Sequence, residues 1–166
     1  MLFRSKDFIY GTWSLNPNNE TSAFWCIKVK EEEEKKIIDL LKKYSLKIYN
    51  SSDSCLLVLN RFSDSSNYGY PKIECIDTSK IIRECYKDKY PVPTFYNQNV
   101  FYTSETAYHL TNDFTIYVFE SKKGIFLPKE QLPKNKYMPE EWEHGISKGV
   151  ALSEKQNVII YWLIIW

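Results

Sequence analysis

The chain reads as an α+β domain: a mainly antiparallel sheet with two or three helices packed on one side and a C-terminal hairpin in the core. Three observations lead there. Short β-rich segments follow one another through polar loops rather than alternating with helices, so a parallel βαβ arrangement does not fit. One segment, Glu31–Tyr44, carries apolar residues at helical spacing. The stretch Val158–Trp166 is apolar on both faces, which suits a central strand. No repeat, linker or shift in composition divides the 166 residues, which read as a single globular domain over 1–166. At that size folding buries about 70% of the extended chain's surface, enough for a substantial core.

Asn16-Pro-Asn-Asn19 breaks regular structure, and the β-rich run Phe24–Lys30 after it predicts a strand. Glu31–Tyr44 then places Ile37, Ile38, Leu40, Leu41 and Tyr44 along one helix. Its glutamates open the first turn and Lys42-Lys43 close the last, the signs that suit the helix dipole. Leu46–Tyr49 and Cys55–Phe62 are expected to be two strands that pair through the loop Asn50–Asp53. Lys72–Ile76 reads as a further strand. Asp77 or Thr78 can cap a second helix that carries Ile81, Ile82, Cys85 and Tyr86 and ends near Lys87–Lys89. Pro91 and Pro93 make Tyr90–Asn99 a loop or a sheet edge.

Val100–Tyr102 is a short strand candidate and Ser104–Leu110 a helical turn. Asp113–Glu120 alternates as a strand does. Lys122–Gly124 should turn the chain, and the proline-rich stretch that follows, up to Gly145, should form a long surface loop. Gly149–Ser153 and Val158–Trp166 then make the hairpin around Glu154–Asn157.

Lys+Arg number 22 and Asp+Glu 21, so the chain lacks the basic excess of a phosphate-tracking protein. Its 13 Tyr, 9 Phe and 5 Trp, against only 5 Gly and 7 Pro, exclude low-complexity and disordered classes. Cys26, Cys55, Cys75 and Cys85 contain no CxxC pair, and most of them sit in apolar runs, so core thiols are favoured over a disulfide, a nucleophile or a metal site. The start, MLFRSKDFIYGTW, lacks the apolar stretch of a signal peptide. Val158–Trp166 is about half of what a helix needs to cross a bilayer. Reduced thiols, no export signal and no membrane span predict the cytoplasm.

Catalytic chemistry has thin support. The only histidines are His109 and His144, and with Lys148 they would match the residue types of a metal-independent ribonuclease. No P-loop, GxGxxG, GxSxG, HExxH or EF-hand spacing occurs, and no cofactor is expected. The aromatic residues could stack bases, but the lysines are spread evenly and supply no one-sided field, so direct nucleic-acid binding is not expected.

Two segments look like recognition surface. Tyr90, Phe95 and Tyr96 cluster with Tyr86 around rigid prolines, although the reading favoured for these rings is that they cover a core edge. In Pro139-Glu-Glu-Trp-Glu-His-Gly145, Trp142 stands among Glu140, Glu141 and Glu143, which suits an apolar anchor with acidic steering toward a basic partner. The alternative is an indole folded back onto the sheet.

The run Trp142-Glu-His-Gly-Ile-Ser-Lys-Gly-Val-Ala-Leu-Ser153 and the strand Val158–Trp166, in a small chain rich in Tyr, Trp, Lys and Asn, resemble the immunity proteins of bacterial contact-dependent inhibition and polymorphic toxin systems. The resemblance implies a non-enzymatic protein that binds a cognate protein toxin, such as a nuclease, and covers its active site or an adjacent surface. The reading from another class is a small RNA-binding or RNA-cleaving protein that uses His109, His144 and Lys148.

Overall fold

A computed structural model describes residues 8–16, 20–59, 83–95, 110–132 and 138–166. Six strands, β1 (Phe8–Asn16), β2 (Glu20–Lys28), β3 (Lys47–Asn50), β4 (Phe114–Lys123), β5 (Gly145–Ser153) and β6 (Val158–Ile165), form one sheet in the order β1-β2-β6-β5-β4-β3. Every neighbouring pair is antiparallel. α1 (Glu31–Tyr44) is the one α-helix among the described residues.

β6 lies between β2 and β5 because it is apolar on both faces. Val158, Ile160, Trp162 and Ile164 point to one side, Ile159 and Tyr161 to the other. Glycine makes the neighbouring β5 thin enough for the indoles beside it. A Cβ on Gly149 would stand 2.2 Å from the Tyr117 carbonyl oxygen and 2.5 Å from the Trp162 ring, and one on Gly145 would stand 2.7 Å from the Trp166 ring. Asn157, with φ of 54°, closes the β5–β6 turn in the left-handed region that Asn tolerates.

The two faces are covered differently. On the first, Leu41 of α1, with Ile37 and Ile38 partly buried, packs over Ile27, Val150, Leu152 and Ile159. On the second, irregular segments do the covering: Leu56–Leu59, Pro91–Phe95 and Met138–Trp142 lie over Phe24, Ile116, Ile160 and Trp162. This layer is fastened by bonds that reach from the sheet. Ser147 Oγ donates to the Pro91 carbonyl at 2.8 Å, and the Tyr90 N–H donates to the Tyr49 hydroxyl at 2.8 Å. Within the layer, Thr94 Oγ1 donates to the Leu59 carbonyl at 2.5 Å. Such bonds are required because a buried irregular backbone cannot satisfy itself as a helix does.

Several expectations are corrected. Over its described part, Cys55–Leu59, the expected strand Cys55–Phe62 does not pair with Leu46–Tyr49. β3 pairs with β4 instead, and Leu56, Leu57, Val58 and Leu59 are all buried in succession, with an isolated parallel bridge from Val58 to Val92 of the Pro91–Phe95 segment. The expected second helix is, where described, a 3-10 turn at Arg83–Tyr86; Asp88, with φ of 61°, turns the chain left-handed just beyond it. Pro91–Phe95 is irregular as expected, but it is buried rather than at a surface edge.

The strand after Asn19 begins at Glu20 rather than Phe24, and β1, which was not foreseen, pairs with it. β4 runs on to Lys123, through the expected turn. Cys55 and Cys85 form a disulfide with Cα atoms 5.5 Å apart, so the expectation of reduced thiols fails for this pair; Cys26 is a buried free thiol. The expected elements at Lys72–Ile76, Val100–Tyr102 and Ser104–His109, together with Cys75, lie outside the described residues.

Candidate protein-binding surface

The long connection between β4 and β5 ends in a 3-10 turn, Glu140–Trp142, opened by Pro139. Its backbone is locked by Trp142 N–H donating to the Pro139 carbonyl at 2.7 Å. The side chain that holds the turn is Trp142 itself, 5% exposed, tilted against Trp166 at 6.2 Å and meeting Tyr90 edge-on at 6.2 Å. Trp166 Nε1–H donates to the Trp142 carbonyl at 2.9 Å, and Lys123 Nζ lies 5.0 Å from the Trp142 ring centroid. The expected surface anchor is therefore a core residue. The burial of several rings together outweighs the pull of the neighbouring carboxylates toward water.

Trp142 points inward, and Glu140, Glu141 and Glu143 are exposed around it. The turn therefore presents three carboxylates on a backbone that its own tryptophan fixes. Gly124 N–H donates to the His144 carbonyl at 3.1 Å, tying both ends of the connection together. At its β4 end Ile125 and Phe126 are exposed.

The second expected recognition segment covers the core. Phe95 is fully buried against Phe24 and Trp162, with ring centroids 5.8 and 5.9 Å apart. Tyr90 is half-buried against Trp142, and Tyr96 lies outside the described residues. Prolines made this segment irregular, but its apolar side chains still had to be buried.

Of the residues considered for RNA cleavage, His109 lies outside the described residues. His144 is half-buried, with its Nδ1 enclosed and unpaired. Lys148 is engaged by Glu120, which also binds Lys122 at 2.5 Å. The hydrogen bonds from Lys122 and Lys148 hold the Glu120 carboxyl down at about 2. The Lys148 ammonium is thus committed to a structural ion pair on the helix-covered face of the sheet.

Sequence reasoning missed this triad, although Glu120 and Lys122 stand two apart on a strand and so share a face. It also missed a polar knot beside the β5–β6 turn. There Ser153 Oγ donates to Asp113, and Gln156 Nε2 donates to Thr111 Oγ1 and to both Asp113 oxygens. Burial opposes ionisation of Asp113, but these hydrogen bonds outweigh it and hold the carboxyl below its ordinary value.

Among the described residues no group of three His, Cys, Asp or Glu side chains is placed to hold a metal ion, and no helix is long and apolar enough to cross a membrane. Compared with models of protein families, with characterised proteins and with solved structures, the chain gives no match in any of the three.

Proposed function

We propose that this chain is a binding protein that neutralises a cognate bacterial toxin, a nuclease being the toxin class that its acidic turn fits. The observation that carries the reading is the preorganised turn: Glu140, Glu141 and Glu143 exposed on a backbone fixed from beneath by Trp142. A surface that handles nucleic acid is basic around its reacting centre, and a rigid set of carboxylates complements it, speeding encounter at little ordering cost. The family resemblance around Trp142–Ser153 points the same way. On this reading the protein works in the cytoplasm, where a nuclease reaches its substrate. The Cys55–Cys85 disulfide removes reduced thiols from the grounds for that compartment, so the nuclease's substrate is the ground that supports it.

The test takes as its probe the variable C-terminal domain of a large secreted protein, should the neighbouring reading frame encode one, and a neighbour of another kind would count against the reading. Changing Glu140, Glu141 and Glu143 together to Gln should slow association about tenfold or more at low salt and much less at high salt. Unchanged kinetics in that variant would remove the turn from the interface. RNA cleavage by the purified protein, lost in His144→Ala, would overturn the binding reading itself.

A further inference from the structure

β3 covers only part of its neighbour. Its four residues pair with Thr115–Val118, and among the described residues none hydrogen-bonds to the outer side of Phe119–Lys123. The ladder is irregular between Val118 and Glu120. Gly124 N–H is bonded to the His144 carbonyl on the β5 side. By the alternation of an antiparallel ladder, the amide and carbonyl groups of Ser121 and Lys123 therefore point outward, away from β5. The side chains beside this open edge alternate too. Glu120 and Lys122 share the helix-covered face with Lys148, while Lys123 reaches Trp142 on the other.

Large exposed apolar side chains collect at the two ends of the same edge. Tyr44 and Leu46, 63% and 55% exposed, stand where β3 begins, with the Leu46 N–H donating to the Val118 carbonyl. Ile125 and Phe126, 61% and 45% exposed, follow directly after the strand.

We propose that this edge is the interface of a homodimer, in which Glu120–Lys122 of two copies pair antiparallel about a two-fold axis through Ser121. The charge order is what selects a second copy over another extended chain. Reversing the strand across the axis sets Glu120 of each copy opposite Lys122 of the other, twice, on one face of the joined sheet, where opposite charges are favourable neighbours. Ser121 meets Ser121, small side chain against small. The same operation carries Ile125 and Phe126 of each copy to the end where Tyr44 and Leu46 of the other are exposed, so one axis covers both apolar ends. The contact is isologous and closes at two copies. It is independent of the toxin reading.

Sedimentation velocity from 1 to 200 µM, or about that range, tests it. The wild-type chain should pass from 19.8 kDa to twice that mass. Ser121→Pro removes an outward N–H that β5 does not use, and should give a monomer with an unchanged far-UV spectrum. Glu120→Lys and Lys122→Glu should each weaken self-association at least tenfold. Mixed one to one they should associate again, because Lys then faces Glu at both pairs. Wild-type protein that stays at the monomer mass, or charge variants that dimerise alone as well as they do mixed, would overturn the proposal. If Ser121→Pro fails to fold, the charge pair decides by itself.

Discussion

The helix-covered face and the loop-covered face of the sheet bury comparable kinds of side chain by opposite means. On the first, α1 satisfies its own backbone and offers a stripe of Ile37, Ile38 and Leu41, so the strands beneath need only be apolar. On the second, three irregular segments bring unsatisfied peptide groups into the core. The buried polar residues Ser51, Thr94 and Ser147 lie there, each bonded to a carbonyl of the covering chain or of the approach to β4. The disulfide belongs to that layer too. A regular cover is bought with propensity and patterning. An irregular one depends on individual bonds, and so it should fail one bond at a time.

The largest effect should come from the loop-covered face at Trp166. Removing Leu163–Trp166 takes away the end of β6 and the indole that holds Trp142, and should abolish the cooperative melt. Trp166→Ala alone should cost about 3–5 kcal/mol in urea unfolding. A retained melt in the truncated protein would show that Trp142 is held by something other than Trp166.

Next comes the staple. Cys55 and Cys85 are 30 residues apart, and opening a loop of that size should cost about 3–4 kcal/mol. In the Cys55→Ser/Cys85→Ser variant, hydrogen-exchange protection should fall at Leu57, Leu59 and Val92 while α1 keeps its own. Equal loss on both faces would break the distinction drawn between them.

Ser147→Ala should be smaller, about 1–3 kcal/mol, because it leaves the buried Pro91 carbonyl unpaired. Leu41→Ala gives the contrast on the helix side, where the loss is packing alone.

Acid comes after these. Hydrogen bonds outweigh burial at Asp53, where Lys89 and the Cys55 N–H donate, as they do at Asp113. Both carboxyls titrate below their unfolded values. Their contribution is therefore complete above about pH 4 and is lost as the pH falls through the folded values. Asp113→Asn should flatten the acid limb of the stability curve, and an unchanged limb would assign it to other carboxylates. The smallest effect on the fold belongs to Glu140, Glu141 and Glu143. Their joint change to Gln should leave the melt in place while association with the toxin domain slows.

What the sequence made legible follows the same division. α1, β4 and the β5–β6 hairpin carry periods of their own, and Glu31–Tyr44 agrees residue for residue with its prediction. Cys55–Leu59 misled because a short run that is apolar throughout looks the same as a buried strand or as a covering segment. β1 escaped because Gly11, Ser14 and Asn16 interrupt its apolar residues and only pairing with β2 makes it a strand. Trp142 was read from its carboxylate neighbours in sequence, whereas its neighbours in space, Trp166 and Tyr90, come from far along the chain. The acidic residues of the candidate site were visible in advance. That their tryptophan supports them from beneath was not.

The sheet order also sets a timetable. β2 is bonded on one side to β1, a few residues away, and on the other to β6, with Lys28 opposite Val158. At roughly 5–20 residues per second, synthesis leaves β2 waiting on the order of 10 s for its second neighbour. In that interval β2 has one paired side and one open one. The amide and carbonyl groups along that edge of β2 have no strand to bond until the one that fills the middle of the sheet arrives.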